Sequence, residues 1–226
     1  MTPQRYRRLR AILDRRQADL TVLMDNVHKP HNVSAVMRTC DAVGIPEIHA
    51  VSPKASFRPS PSSSGGTRRY VKVRTHPSHE EAFQHLKAKG LRVLAADLDP
   101  HALDFRQVDY TQPTAVLLGA EKPGVSEEAL ALADAKISIP IVGAVESLNV
   151  SVANAVILYE AQRQRQEAGL YEVIQLDEAT RQELLFEWGY RRLAETCRRR
   201  KLPYPKLGPE GELLDPLPWK EIPGAK

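Results

Sequence analysis

The sequence is poor in what several familiar kinds of protein require. It has two cysteines, Cys40 and Cys197, in 226 residues, and neither belongs to a C-x-x-C pair. That excludes a disulfide framework and a cysteine-based metal site. No apolar run approaches the ~18 residues of a membrane helix. The amino-terminal MTPQRYRRLRAILDRRQ is arginine-rich but lacks the apolar core of a signal peptide. G-x-G-x-x-G, H-E-x-x-H and G-x-S-x-G are all missing, which argues against a dinucleotide-binding oxidoreductase, a zinc protease and a serine hydrolase. Gly119-Ala-Glu-Lys-Pro-Gly124 has the glycine spacing of a phosphate-binding loop, but Val125 stands where the lysine belongs. His28 and His31 have no third ligand nearby, so they are read as loop residues and no metal is expected. The expectation is a cytoplasmic protein that uses neither metal nor membrane.

What is present describes a globular chain. Hydrophobic residues make up 42% and charged residues 27%, with a mean hydropathy of −0.39. The length suits one domain, or one domain with extensions, and a compact radius of gyration of about 17 Å.

The net charge of +4 is unevenly distributed. Residues 1–20 carry six arginines against Asp14 and Asp19. Residues 21–75 sum to +5, residues 76–188 to −9, residues 189–206 to +6 and the last twenty to −2. Arginine outnumbers lysine by 21 to 11, and its planar fork suits phosphate oxygens. A single arginine run is as well explained by a solvated helix face. Two basic ends around an acidic middle point instead to a polyanionic partner. The candidate contacts to that partner are Arg5, Arg7, Arg8, Arg10, Arg15 and Arg16 at one end. Arg191, Arg192, Arg198, Arg199, Arg200 and Lys201 lie at the other, with Arg68 and Arg69 between.

Periodicity gives a helix over 3–17, a buried strand over 20–24, a helix over 33–43 stopped by Gly44, and a strand over 47–51. The Ser/Pro/Gly-rich 52–67 reads as a mobile loop, with Pro59 and Pro61 stiffening it. Strands follow at 70–74, 91–98, 114–118 and 137–142. Ser78 with Glu81 forms a capping box for a helix through Ala88, and Ser126 caps another. From Val150 to Gly169 runs a long helix, apolar nearly all round in its first half and so expected to be buried. Asp177 caps a last helix that runs to the Arg198–Arg200 cluster, and the tail from Pro203 is extended. Strands alternating with helices specify an α/β fold, a mostly parallel sheet covered on both faces. In such sheets ligands lie beyond the carboxyl ends of the strands.

Three segments fall at those ends. HKPHNVSAVMRTCDAVG (28–44) carries Asn32 and Arg38. LLGAEKPGVSEE (117–128) offers a glycine-rich backbone that a ligand can approach closely. IPIVGAVESLNVSVANAV (139–156) places Ser147 and Asn149 just before the long helix. Each also has a plain structural reading, as a helix cap or a βα turn.

The three together resemble the ordered motifs of the SPOUT-type RNA ribose 2′-O-methyltransferases. RYRRLRAILDRRQADLTVLMDNVHKPHN, FRQVDYTQP, YEAQRQRQEAG and RKLPYP extend the resemblance over nearly the whole chain, toward the tRNA guanosine-18 branch of that family. The resemblance implies S-adenosyl-L-methionine as methyl donor, S-adenosyl-L-homocysteine as product, a homodimer, and a deep trefoil knot near the carboxyl-terminal part of the catalytic domain. It implies a catalytic domain at 19–169 between a basic helical extension at 1–18 and a basic helix with a Pro-rich tail at 170–226. Arg38 matches the family's catalytic arginine. Asn32, Glu121, Ser147 and Asn149 match its polar motif positions. Ala96, Gly119, Ile139 and Leu148 fall where the family wraps its loops around the cofactor. The implied activity is methylation of a ribose 2′-hydroxyl in tRNA, at guanosine 18 of the D-loop. The rivals are the same chemistry on ribosomal RNA and a non-catalytic RNA-binding protein on this scaffold. A guanidinium stays protonated, so Arg38 is expected to bind phosphate and stabilise charge. The proton acceptor is left open among Glu121, His31 and water. Cys40, where a small residue such as alanine is usual, is expected to pack.

Overall fold

The computed structural model describes residues 1–51 and 69–214. The expected loop at 52–67, Arg68 and the last part of the tail lie outside the described residues. Two compact units are present: Gln17–Tyr171, and a second made of Met1–Arg16 together with Glu172–Lys226.

The larger unit is a seven-stranded sheet. Its strands are β1 (Leu20–Asp25), β2 (Glu47–Val51), β3 (Lys72–His76), β4 (Arg92–Ala96), β5 (Leu103–Asp104), β6 (Thr114–Leu118) and β7 (Ala135–Ser138). Their order is β3-β2-β1-β6-β4-β7-β5, and every paired neighbour is parallel. The helices are α2 (Pro30–Ala42), α3 (His79–Ala88), α4 (Glu127–Leu132) and α5 (Val150–Glu167). Strand alternation divides the core in two. Leu20, Val22, Met24, Val116 and Leu118 face α2 and α5, packing with Val33, Val36, Met37, Cys40, Ile157 and Leu158. Leu23, Val93, Ala115 and Leu117 face the other way, onto Ala82, Phe83 and Leu86 of α3 and Ala129 of α4. Period-two alternation thus lets one continuous apolar run serve both faces. Cys40 is fully buried in the first layer, as its packing role requires.

Several boundaries differ from expectation for identifiable reasons. α2 starts at Pro30 rather than Val33, because a proline suits the first helical position. That moves Asn32 into the first turn and Arg38 into the third. β3 is shifted two residues along from 70–74. β7 ends at Ser138 rather than running to 142, where Pro140 supplies no ladder N–H. The first half of α5 is not buried all round: Val150, Asn154, Ile157 and Leu158 are covered, whereas Val152, Val156 and Tyr159 are exposed. Ser78 caps α3 as expected, its Oγ accepting from the Glu81 N–H at 3.3 Å.

α5 is tied to the sheet by a charged group rather than by apolar contact alone. Arg165 is fully buried. Its guanidinium donates to Asp19 Oδ1 at 2.5 Å, Gln17 Oε1 at 3.0 Å and the Tyr110 carbonyl at 2.8 Å. It also reaches the Asp19 and Gln112 carbonyls at 3.3 Å. A buried guanidinium is tolerable when its donors are taken up in this way.

In the smaller unit, α1 (Pro3–Asp14) packs on α6 (Glu178–Gly189), which is followed by α7 (Arg191–Arg200). The single last helix expected from sequence is therefore two, broken at Tyr190 with φ −124° and ψ 52°. Asp177 caps α6 as expected, accepting from the Thr180 N–H at 2.8 Å.

Candidate active site

Sheet order explains why distant segments meet. β6, β4 and β7 are adjacent, so Gly119, Ala96 and Ile139 lie at or just past three neighbouring carboxyl ends. The register places Ala96 opposite Ile137, and the Asp97 N–H donates to the Ile137 carbonyl at 3.0 Å. Leu148 is half-buried near the end of the loop that follows β7.

The turn after β6 is built around Gly119. A Cβ there would lie 2.0 Å from the Gly124 carbonyl carbon and 2.1 Å from the Val125 nitrogen. The chain doubles back on itself, and the Ala120 N–H donates to the Gly124 carbonyl at 3.0 Å. Gly124 itself has φ +94°, a left-handed conformation that disfavours side chains. The Lys122–Pro123 bond within this turn is cis. The tight return leaves Glu121 at the tip.

Glu121 is where the three sequence segments join. Its Oε1 accepts from Asn32 Nδ2 at 2.9 Å and from Asn149 Nδ2 at 2.8 Å. Its Oε2 is paired with the Lys29 ammonium. Asn149 Oδ1 in turn accepts the Ser151 N–H at 2.9 Å, so this residue also caps α5. Asn32 is buried in the first turn of α2. The hydrogen bonds from Lys29 and then Asn32 hold the Glu121 carboxyl below its usual range. A carboxylate so held is ionised at neutral pH and is a weak proton acceptor, which favours a bracing role for Glu121 over the acceptor role left open above.

Arg38 is exposed on α2, outside this clasp. Six residues separate it from Asn32, roughly 9 Å along the helix axis and about a third of a turn round. Ser147 is also exposed and makes none of the clasp's hydrogen bonds. The Ala96 and Ile139 side chains are half-buried against the core.

Sequence reasoning missed two supports. Lys29 was hidden between His28 and Pro30. Asp25 closes the apolar run LTVLMD and is fully buried. Its Oδ2 accepts the Ser126 N–H at 2.8 Å, and its Oδ1 accepts from His79 Nε2 at 2.9 Å. His79 Nδ1 faces Glu128 at 3.1 Å. These contacts fasten the far end of the 119–126 turn to β1. A carboxylate ending an otherwise apolar strand was the available signal.

The arrangement suits a ligand read through backbone groups. Residues 139–148 make no backbone–backbone hydrogen bond to the rest of the described residues, so their N–H and C=O groups are not spent on the fold, and Ala96, Ile139 and Leu148 are half-buried. That combination fits a nucleoside with an amino-acid tail, which presents both polar edges and a flat apolar face. The residues therefore fit S-adenosylmethionine.

Fold and site define a parallel α/β protein whose ligand loops are gathered by an asparagine–glutamate–asparagine clasp. The chain belongs to the SpoU rRNA Methylase family: residues 19–159 match that family, and residues 163–216 match its C-terminal segment. It is 53% identical over 221 residues to the tRNA (guanosine(18)-2′-O)-methyltransferase of Escherichia coli, covering 97% of this chain and 96% of that one. It is 58% identical over 187 residues to the enzyme of that name from Thermus thermophilus, covering 83% and 96%. A crystal structure of an A. aeolicus TrmH/SpoU tRNA modifying enzyme superposes with a TM-score of 0.78 at 40% identity, over 84% of this chain and 96% of that one. The SpoU methyltransferase AviRb from Streptomyces viridochromogenes, solved with AdoMet, superposes at 0.61 with 30% identity, over 67% and 62%.

Gly119→Ala should weaken S-adenosylmethionine binding severely, because the turn that carries Glu121 cannot close around a methyl group. Calorimetric titration of the cofactor checks this. Parent-like affinity would show that the close approach is dispensable.

Proposed function

We propose that this chain transfers a methyl group from S-adenosylmethionine to the ribose 2′-oxygen of guanosine 18 in tRNA, acting in the cytoplasm as a homodimer. The observation that carries the reading is the clasp: Asn32, Glu121 and Asn149, from three separate motifs, meet at one carboxylate. Long and nearly complete similarity to enzymes named for that reaction supports the substrate. The trefoil knot expected from the family belongs to the same reading.

The bound cofactor supplies an electrophilic methyl group. The chain's residues do the rest. Ala96, Gly119, Ile139 and Leu148 hold the cofactor through the loops they terminate. Asn32, Glu121 and Asn149 brace those loops. Ser147 lies on the exposed stretch between cofactor and RNA. Arg38 binds the phosphate beside the target ribose and stabilises charge that develops on the 2′-oxygen. The proton leaves to His31 or water, since Glu121 is engaged by Lys29.

The exposed apolar stripe Val152, Val156 and Tyr159 on α5 supports the dimer. Spaced at helical intervals, it forms one face that a second subunit would cover.

RNA would bind the basic ends, with one correction to the sequence reading. Arg16 is fully buried, its guanidinium 5.4 Å from the Trp188 ring centroid, so it cannot reach a phosphate and serves packing instead. Arg7, Arg10 and Arg15 face Glu210, Glu178 and Glu172 at 3.7, 3.3 and 3.8 Å. Arg191 and Arg198 face Glu195 and Glu187. Such exposed pairs are weak and exchange readily for phosphate. Arg5 and Arg69 are exposed, Arg5 donating to the Trp188 carbonyl at 3.3 Å and Arg69 lying 5.7 Å from the Tyr70 ring centroid. Arg8, Arg192, Arg199, Arg200 and Lys201 are exposed and carry no ion pair among the described residues.

Incubating total tRNA with radiolabelled S-adenosylmethionine tests the function. Label in one ribose-methylated guanosine of the D-loop supports it, and label confined to ribosomal RNA in a parallel reaction overturns the substrate. Arg38→Ala should lose nearly all turnover while cofactor affinity stays near normal; substantial residual turnover would refute the role given to Arg38. Arg199→Ala should flatten the dependence of log affinity for tRNA on log salt by roughly 0.7–0.9. Arg16→Met should leave that slope unchanged, and a matching change would contradict its assignment to the core.

A further inference from the structure

Away from the clasp, on the other face of the sheet, three histidines gather under α3. His49 on β2 is 1% exposed and His76 at the end of β3 is 7% exposed. His85 projects from α3 between them. The three ring centroids lie 5.3 to 5.4 Å apart. His49 Nδ1 is 3.0 Å from His76 Nε2. The Glu47 carboxylate joins from the start of β2: one ligand atom from each of Glu47, His49 and His85 falls within 4.8 Å of the others.

None of these groups is used by the clasp, and ring packing alone does not require polar side chains at these positions. An apolar layer would accept leucine at each position at no polar cost. Instead the cluster leaves His85 Nε2 buried without a hydrogen-bond partner. An orphaned acceptor or donor of this kind costs free energy unless something takes it up. A cavity of about 420 Å³, whose lining includes Arg74, Thr75, His76, Glu81, Gln84 and His85, opens the His76 and His85 side of the cluster to solvent.

We propose that His49, His85 and Glu47, with His76 hydrogen-bonded behind His49, form a binding site for a divalent transition-metal ion, zinc foremost. Two imidazoles and a carboxylate are a donor set that such ions prefer. Burial, the largest cause in each case, pushes all three histidines down from their ordinary values, His49 to about 3. They are therefore neutral at physiological pH, which is the ligating form. The His49–His76 contact is the outer hydrogen bond that fixes a ligating ring. Glu47 now pairs with Arg74 at 3.2 Å and Lys89 at 3.1 Å. Both cations are half-exposed, so their ends can turn to water as an ion takes the carboxylate. The ion would join β2 to α3, the helix whose His79 holds Asp25 beneath the 119–126 turn.

The test is direct titration of the chelator-stripped full chain with zinc chloride by calorimetry, and with cobalt(II) by absorption. One ion per chain is expected, with a cobalt ligand-field band and a raised melting temperature in excess zinc. His85→Ala and Glu47→Gln should each lose more than about tenfold in affinity, and His76→Ala about 10–100-fold. His28→Ala/His31→Ala, which removes the other close histidine pair, should bind as the parent does. Circular dichroism identifies any variant that fails to fold, and Glu47→Gln, altered only at a partly exposed carboxylate, then decides. The proposal is overturned if the parent binds no zinc, if a folded His85→Ala or Glu47→Gln binds as the parent does, or if binding is lost with His28 and His31.

Discussion

One carboxylate oxygen organises the candidate active site. Glu121 Oε1 accepts hydrogen bonds from Asn32 and Asn149 at once, and those residues belong to different helices and different motifs. Gly119 lets the chain double back sharply enough to present Glu121, and Lys29 balances its charge. At the other end of the turn, buried Asp25 takes the Ser126 N–H. The 119–126 turn is thus held at two points, at Glu121 by the clasp and at Ser126 by Asp25 of β1. Hydrogen bonds to charged groups are the stronger class, and preorganised loops spend less binding energy on ordering.

The sheet makes that clasp possible. Because β6 lies between β1 and β4, the turn after β6 stands beside both the start of α2 and the loops after β4 and β7. Asn149 does double duty as the cap of α5, and α5 is held in turn by fully buried Arg165 and its partners in Gln17, Asp19 and Tyr110. Site and scaffold therefore share their polar contacts, and damage at one is felt at the other.

Much of this was legible in the sequence because its signals are local. Short continuous apolar runs such as LTVLM and TAVLL, bounded by turn residues, fit strands covered on both faces, and Ser78, Ser126 and Asp177 cap helices through their own following turns. Asn32, Glu121 and Asn149 were legible as motif residues, but their meeting at one oxygen was not, since it depends on strand order. The errors have the same origin. Arg16 looks like its arginine neighbours until Trp188 covers it, 172 positions later in the chain. The first half of α5 reads as a core helix because composition cannot say which apolar face lacks a partner. Lys29 and Asp25 stayed invisible because a lone charge gains meaning from what it pairs with.

The central claim is that Asn32 and Asn149 act through one shared acceptor. A double-mutant cycle on S-adenosylmethionine affinity, with Asn32→Ala, Asn149→Ala and the double variant measured by calorimetry, tests it most directly. Shared dependence on Glu121, together with the direct Asn149 Nδ2 bond to Asn32 Oδ1 at 3.4 Å, predicts that the two losses are not additive, with a coupling of about 0.5–3 kcal/mol. Losses that add to within about 0.3 kcal/mol would mean that the residues act independently, and the clasp would not be what orders the cofactor loops.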